Sequence, residues 1–271
     1  MPVISLPEEQ LRLACELRTK ALAFNTRPTP SHAVALWINE RRCGLLLPEA
    51  IRQIGSSALA DRFSLQQHGC VMRADGGVDS ALAQAARCFH AAGFFRQWRN
   101  ELLDVRDLES QQRFAVAERG LFRFFGMATR CVYAVAISRD KRVFMSRRSL
   151  AKQVDPGLWD CLAAGLIAEG ETPEAALARE IFEEAGLEKA AYRPLGRFSR
   201  FAVSRPVEDG WMQETAFCLN VQVIEERLVH NIDGEVDAIE LVAPEVVLER
   251  IASGLVPWDT AVAFLGLFVD A

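Results

Sequence analysis

Apolar residues repeat at two different periods along the first part of the chain. Over 7–24, 48–60 and 78–92 they recur every three to four positions, which predicts three amphipathic helices. Shorter apolar runs bounded by turn residues predict two strands within 31–46 and one strand over 63–72. The first part of the chain is therefore expected to mix helices and strands.

The stretch near residue 100 connects this part to the rest of the chain. Residues 98–105 are predicted to be extended, and 108–125 to be a helical connector because its apolar side chains repeat at three to four residues. A chain of 271 residues is also long for one domain, since about 100–150 residues is the usual size. We therefore predict a smaller mixed α+β N-terminal accessory domain over 1–125 and a second domain over 126–271.

The second part opens with apolar runs at 131–137 and 143–145, separated by a turn, which predict two neighbouring strands. Further strands are predicted at 195–203 and 213–223, and further helices at 244–251 and 258–268. Strands that alternate with helices in this way favour a mixed sheet with helices packed on it.

Residues 165–187, GLIAEGETPEAALAREIFEEAGL, carry a regular pattern of charge. A helix rotates about 100° per residue, so it would place Glu180, Glu183 and Glu184 on one face and small apolar residues on another. Like charges at this spacing destabilise a helix by about 0.2–0.5 kcal/mol per pair. A divalent cation such as Mg²⁺ or Mn²⁺ removes that repulsion and keeps positions for water and phosphate oxygens. The pattern thus indicates a metal site for phosphoryl chemistry.

The residues that flank this stretch support a helix. Thr172 is placed to cap its N-terminus, Pro173 suits its first position, and Gly186 suits a left-handed end. The apolar run 161–164 before it is expected to be a short strand that leads into a loop. The site is therefore predicted to be a loop, a helix and a second loop.

The same residues resemble the Nudix hydrolase motif, G-x5-E-x7-R-E-U-x-E-E-x-G-U, where U is aliphatic. Its specified positions are all matched, by Gly165, Glu171, Arg179, Glu180, Ile181, Glu183, Glu184, Gly186 and Leu187. The resemblance implies a Nudix α/β/α sandwich with a mixed sheet. It also implies that Glu180, Glu183 and Glu184 are ligands of Mg²⁺ or Mn²⁺, with the backbone carbonyl of Ala164 as a further ligand, and that Arg179 orients Glu180. An acidic helix face that is merely solvated is the alternative.

Shorter patches elsewhere resemble one Nudix subgroup, which is related to fungal thiamin pyrophosphokinase-associated proteins and carries an extra N-terminal domain. These patches lie at 98–102, 122–126, 147–153, 155–160 and 231–236. One departure is Leu166, where the subgroup tends to have a second glycine. The resemblance implies hydrolysis of thiamin diphosphate, or of its oxidised analogues, to the monophosphate.

A late carboxylate is also expected, because Nudix enzymes commonly bring one from a loop after the motif to complete the metal site or polarise the attacking water. The turn at 231–235 holds Asp233 and Glu235, and we take Glu235 as the candidate. A solvated surface turn is the alternative for both, since turns favour Asp-Gly. Glu180 remains the other candidate for the general base.

Basic and aromatic residues before the motif are candidates for binding substrate. Arg147 and Arg148 would contact a diphosphate through two-pronged hydrogen bonds and Lys152 as a point charge. Trp159 would stack on a ring of the substrate. The competing interpretations are a solvated basic strand end for the cations and simple core packing for the tryptophan.

Composition and charge disfavour several classes of protein. Half of the residues are hydrophobic, and the net charge of −5 gives no electrostatic footprint for nucleic acid. The first residues do not resemble a secretory signal, and no run reaches the roughly 18 apolar residues of a membrane span. Seven widely spaced cysteines without a C-x-x-C pair fit reduced thiols. We therefore expect a cytoplasmic protein with a small-molecule diphosphate as its partner.

The resemblance allows three functions: a diphosphate hydrolase, a Nudix-like ligand sensor, and an isomerase of the isopentenyl diphosphate type. The hydrolase is favoured because every acidic position of the motif is kept and no histidine lies near it. A nucleoside diphosphate derivative such as ADP-ribose or a dinucleotide is the alternative substrate. The sequence leaves open whether the N-terminal domain walls the pocket or forms a homodimer contact.

Overall fold

The structure is a computed structural model that describes residues 2–95, 98–151, 154–232 and 234–269. Its α-helices are α1 (Glu8–Asn25), α2 (Pro48–Gly55), α3 (Val78–Ala91), α4 (Gly120–Phe124), α5 (Pro173–Ala185), α6 (Pro244–Ala252) and α7 (Trp258–Leu265). Its strands are β1 (Val34–Ile38), β2 (Arg41–Leu46), β3 (Phe63–Gln66), β4 (Gly69–Met72), β5 (Leu102–Arg106), β6 (Arg113–Glu118), β7 (Ala128–Ile137), β8 (Val143–Arg148), β9 (Trp159–Asp160), β10 (Ala163–Leu166), β11 (Tyr192–Pro194), β12 (Ser199–Val207), β13 (Gly210–Val223) and β14 (Val236–Val242). Short 3₁₀ turns occupy 60–62, 189–191 and 226–228.

An eight-stranded sheet forms the centre of the second part. Its main order is β11-β13-β7-β8-β14, with β12 paired to β13, β10 to β7 and β9 to β8. The β7–β13 pair is parallel and the others are antiparallel, so the sheet is mixed.

Helices cover both faces of this sheet because successive side chains of a strand point to opposite faces. Val132 and Ala134 of β7 pack with Leu177 and Ile181 of α5 on one face. On the other face the alternate residues of β7, such as Val135, join a core that includes side chains of α1, α6 and α7. The predicted α/β/α sandwich with a mixed sheet is therefore confirmed.

The first part of the chain has its own sheet and core. Four strands are ordered β2-β1-β4-β3, with β1 and β4 parallel, and β5 and β6 form a separate two-stranded ribbon. Helices α2 and α3 pack with these strands around aromatic side chains such as Phe89 and Phe125. This arrangement agrees with the predicted mix of helix and strand.

Helix α1 packs with the second core and not with the first. Its buried Ala14, Leu17 and Ala21 share a cluster with α6 and α7, and the end of α1 forms a bridge from Thr26 to Ser204 of β12. Helix α1 therefore belongs to the core of the second part, although it precedes the residues of the first core in the sequence. The division at residue 125 stays a prediction.

Two predicted elements were wrong. The single strand over 63–72 is a hairpin, β3 and β4, with Gln66 paired to Gly69 across a tight turn. The helical connector over 108–125 contains β6 and only a short α4. The burial of residues 113–117 alternates and they pair with β5, but residues 114–117 are all apolar, so the sequence itself shows no period of two. Strand β14 was not predicted at all.

No helix in the described part of the chain is both long enough and apolar enough to span a membrane.

Candidate active site

The motif helix α5 begins and ends as its local sequence predicts. The side chain of Thr172 accepts a hydrogen bond from the backbone N–H of Ala175 at 3.2 Å, and Pro173 occupies the first turn. Gly186 ends the helix with φ of 68°, in the left-handed region that glycine adopts without strain. These caps fix where α5 begins and ends, and the spacing of its glutamates then places them on the helix surface.

The guanidinium of Arg179 forms hydrogen bonds with four residues of the motif region. Arg179 donates two hydrogen bonds of 2.9 Å to the carboxylate of Glu171, one of 2.6 Å to Glu180 and one of 3.1 Å to Glu183. It also donates to the backbone carbonyl of Leu166 at 3.1 Å. These contacts lower the pKa of the Glu171 carboxyl and raise that of Arg179. Arg179 therefore fixes the loop that precedes the helix against the helix itself.

The carboxylates that are nearest the sheet are buried. Glu180 is 9% exposed and Glu184 is 6% exposed, whereas Glu183 is partly exposed. Burial raises the pKa of Glu180 above its usual value, although Arg179 works in the opposite direction. Glu184 accepts a hydrogen bond from the backbone N–H of Ala164 at 3.0 Å. The fold thus removes two anionic side chains from water beside the same loop.

The residues present suit a divalent cation. Three carboxylates of the motif, Glu171, Glu180 and Glu183, share one guanidinium, and Glu184 adds a further buried carboxylate, so the charge of the cluster is negative and partly desolvated. In the described residues no three such side chains surround a common point, because their oxygens are turned to Arg179 and to backbone N–H groups. The chemistry of this donor set fits Mg²⁺ or Mn²⁺, with Glu180, Glu183, Glu184 and Ala164 as its candidate ligands.

A cavity of about 370 Å³ opens beside these carboxylates. Glu180, Glu183, Arg179 and Ala164 line it together with Glu235. Glu235 is exposed, and its backbone carbonyl accepts from the N–H of Ser149 at 2.9 Å. The structure therefore brings the candidate late carboxylate to the same cavity as the motif.

Only some of the candidate substrate-binding residues line the cavity. Arg148 lines the cavity but donates to Asp160 at 2.7 Å and to the carbonyl of Val154. Arg147, the next residue along β8, is exposed and is not among the lining residues. The ring of Trp159 is also absent from the lining, and the Arg250 guanidinium covers it at 3.8 Å. Because side chains alternate along a strand, only one of the two arginines reaches the cavity. Lys152 and Asp233 lie outside the described residues.

A second acidic group lines the cavity away from the motif. Asp160 accepts from the hydroxyl of Thr260 at 2.8 Å, and Glu214 accepts from Thr129 at 2.8 Å and from the thiol of Cys131 at 3.1 Å. Asp259 is partly buried beside them, and removal from water and repulsion from Asp160 and Glu214 raise its pKa to about 6. Arg148 forms an ion pair with Asp160 of this group.

Sequence reasoning missed this second group because its members come from distant strands and a helix. It also missed Glu101 and Arg119, which line the cavity from the first part of the chain. The patch at 98–102 that resembles the Nudix subgroup was a signal for Glu101. Arg119 had no comparable signal.

The geometry can be compared with known proteins. Residues 127–260 match the family described as NUDIX domain. Residues 127–260 therefore belong to the Nudix hydrolase superfamily. It is 28% identical over 201 residues to Nudix hydrolase 20 of Arabidopsis thaliana, named as chloroplastic, which is 67% of this chain and 53% of that protein. It is 29% identical over 166 residues to an uncharacterised Nudix hydrolase of Pseudomonas aeruginosa, covering 61% of this chain and 89% of that one. A Deinococcus radiodurans crystal structure is 25% identical with a TM-score of 0.40, covering 57% of this chain and 90% of that one.

The chain spans about half the length of Nudix hydrolases 20 and 24 of Arabidopsis. The family match and these relatives confirm the predicted superfamily, and they support the predicted enzyme class, a Nudix diphosphate hydrolase. The resemblance to the thiamin-related subgroup stays a prediction, as do the roles of the individual site residues.

Proposed function

We propose that this protein is a metal-dependent hydrolase that cleaves the diphosphate bond of thiamin diphosphate, or of its oxidised analogues, to give the monophosphate. One observation carries the proposal. A single cavity is lined both by Glu180 and Glu183 of the Nudix motif and by a second acidic group that suits a cationic organic moiety.

The chain's own residues have distinct roles in this proposal. Glu180, Glu183 and Glu184, with the carbonyl of Ala164, would hold Mg²⁺ or Mn²⁺. The bound ion would neutralise phosphate charge and make water more acidic. Arg179 orients Glu180 and Glu183 through its hydrogen bonds. Glu235 accepts the proton of the attacking water, and Glu180 is the other candidate for this step.

The second acidic group supports a thiamin-like substrate over ADP-ribose. Thiamin carries a positively charged thiazolium ring and an amino group on its pyrimidine, whereas ADP-ribose adds sugar hydroxyls and no positive charge. Glu214 and Asp259 would attract a cation or an amino donor. They would repel a further phosphate or carboxylate. Charge complementarity of this kind selects between substrates that share the same diphosphate.

A substrate panel tests the proposal directly. Purified protein would be incubated with Mg²⁺ or Mn²⁺ and thiamin diphosphate, oxidised thiamin diphosphate, ADP-ribose or a dinucleotide, and the released monophosphates identified by mass. We expect the thiamin compounds to give the highest kcat/KM. Preference for ADP-ribose or a dinucleotide would refute the substrate, and tight binding without turnover of any compound would indicate a ligand sensor.

The location of the protein and the role of its first part also remain proposals. We propose a cytoplasmic location, which the free state of all seven cysteines supports. We also propose that the predicted accessory domain over 1–125 walls the substrate pocket, because its Glu101, Arg119 and Phe122 line the cavity. A homodimer contact by the same domain is the other possibility, and size-exclusion chromatography with light scattering would detect it.

A further inference from the structure

The β5–β6 ribbon is attached to the loop of the Nudix motif, although it lies outside the residues that match the family. The carboxylate of Asp104 on β5 accepts from the N–H of Gly170 at 3.2 Å and from Arg130 at 3.2 Å. The N–H of Glu169 donates to the carbonyl of Leu102 at 3.0 Å, and the Glu169 side chain pairs with Arg113 of β6. Three contacts with the motif loop and one with Arg130 of β7 therefore fix the position of the ribbon relative to the motif.

The end of this ribbon carries an ion pair that faces the cavity. Arg119 donates to the carboxylate of Glu101 at 2.7 Å, and its backbone N–H donates to the Glu101 carbonyl at 2.9 Å. Both side chains line the cavity together with Glu180 and Glu183. The charge of Glu101 also contributes to the raised pKa of Glu180, which is consistent with a short separation of the two carboxylates.

Two other described arginines that line the cavity, Arg179 and Arg148, are already engaged. Arg179 makes five hydrogen bonds within the motif and its loop, and Arg148 is paired with Asp160. Arg119 has five N–H donors, and in the described part of the chain its side chain makes one ion pair, through one terminal nitrogen. Its side chain is also 39% exposed, so it retains donors that a ligand in the cavity can use.

We propose that Arg119, from outside the Nudix domain, is a substrate-binding residue that donates hydrogen bonds to a phosphate oxygen of the diphosphate. Glu101 is a positioning residue that holds Arg119 at the cavity. The inference rests on the proposed hydrolysis of a diphosphate and deepens it, because it makes the first part of the chain a component of the phosphate-binding site.

Calorimetric titration with methylenediphosphonate in the presence of Mg²⁺ tests this without turnover, since its P–C–P link is not hydrolysed. Charge-assisted hydrogen bonds contribute enough for Arg119→Gln to weaken binding about 10- to 100-fold. Arg119→Lys should lose less, because it keeps the charge but not the planar fork. The matched control is Arg87→Gln, an exposed arginine on α3, which should bind like wild type. Circular dichroism and thermal melting would establish that each variant is folded.

The outcomes separate this inference from the proposed function. If wild type hydrolyses a diphosphate but Arg119→Gln and Arg119→Lys bind the probe like wild type, only the role of Arg119 is overturned. If wild type neither binds the probe nor hydrolyses any diphosphate, both proposals fail. Glu101→Gln should bind at least as tightly as wild type, because the glutamine oxygen can still accept the hydrogen bond that positions Arg119 and a competing negative charge is removed. A loss in Glu101→Gln equal to that in Arg119→Gln would overturn direct contact by Arg119 and leave a purely structural ion pair.

Discussion

Replacing Gly165 by alanine is a sharp test of where the structure puts the Glu180 carboxylate. A Cβ at residue 165 would lie 2.0 Å from Oε1, 2.2 Å from Cδ and 2.6 Å from Oε2 of Glu180. Non-bonded carbon and oxygen atoms normally stay about 3.5 Å apart, so the carboxylate has to move by more than about 1 Å. The backbone φ of Gly165 is outside the left-handed region, and alanine is therefore tolerated by the backbone itself.

The displaced carboxylate should affect catalysis much more than folding. Glu180 would lose its 2.6 Å hydrogen bond to Arg179 and its place beside the other candidate ligands. Misplacement by about 1 Å commonly costs about 10²-fold in rate, so we expect kcat to fall about 10²-fold at saturating Mg²⁺. Binding of Mn²⁺, measured by electron paramagnetic resonance, should weaken in parallel.

Gly55→Ala is the matched control, since a Cβ there meets no atom within 4 Å. It should keep full activity and be slightly more stable, because alanine is favoured over glycine in a helix by about 0.5–1 kcal/mol. A Gly165→Ala enzyme whose kcat and Mn²⁺ affinity stay within about threefold of wild type would refute the proposed role of Glu180 at this position.

Four further outcomes can be measured. Glu184→Gln should lower kcat by at least about 10²-fold in a folded protein, and activity that survives excess EDTA would refute the metal site. Glu235→Gln should lower kcat by about 10²–10⁴-fold if Glu235 is the general base, with a milder effect of Asp233→Asn. Equal small losses would indicate a solvated turn, and rescue by more Mg²⁺ would make Glu235 a ligand. Asp259, with its pKa of about 6, attracts a cation above that pH and loses its charge as the pH falls through it. The ratio of kcat/KM for thiamin diphosphate to that for ADP-ribose should therefore fall between about pH 7.5 and about 5.5 in wild type, whereas Asp259→Asn should show no such change. Asp104→Asn should lower the free energy of unfolding in urea by about 2–3 kcal/mol because it weakens several charged contacts, and a change below about 0.5 kcal/mol would show that the ribbon is held by other contacts.

The parts of the site that the sequence predicted are those with local signals. Helix α5 was predictable because Thr172, Pro173 and Gly186 lie within one stretch and act on the nearest turns. The carboxylates follow from helical periodicity alone. By contrast, Arg147 and Arg148 are adjacent in sequence but occupy opposite faces of β8, and their separation depends on which face the strand buries.

The missing parts depend on contacts between residues far apart in the chain. Glu214 and Asp259 meet because α7 packs on the face of the sheet to which Glu214 of β13 points, and no sequence pattern near either residue indicates this. Helix α1 was correctly predicted as a helix, but an amphipathic pattern does not say which apolar surface will cover it. Strand β6 was missed because its residues 114–117 are all apolar and show no alternation, while the aromatic residues around them repeat at helical spacing.

The packing of α1 and of the β5–β6 ribbon determines how long a fragment of this chain has to be to keep its catalytic site in place. A fragment cut at residue 126 would keep every residue of the Nudix motif. It would also leave the apolar sides of α6 and α7 without α1, and the motif loop without its contacts to Asp104 and Leu102. The family match therefore begins at residue 127, whereas the residues on which this part of the chain depends for its packing begin with α1. A protein made of residues 127–260 alone would contain the motif carboxylates but would lack the contacts from α1 and the β5–β6 ribbon.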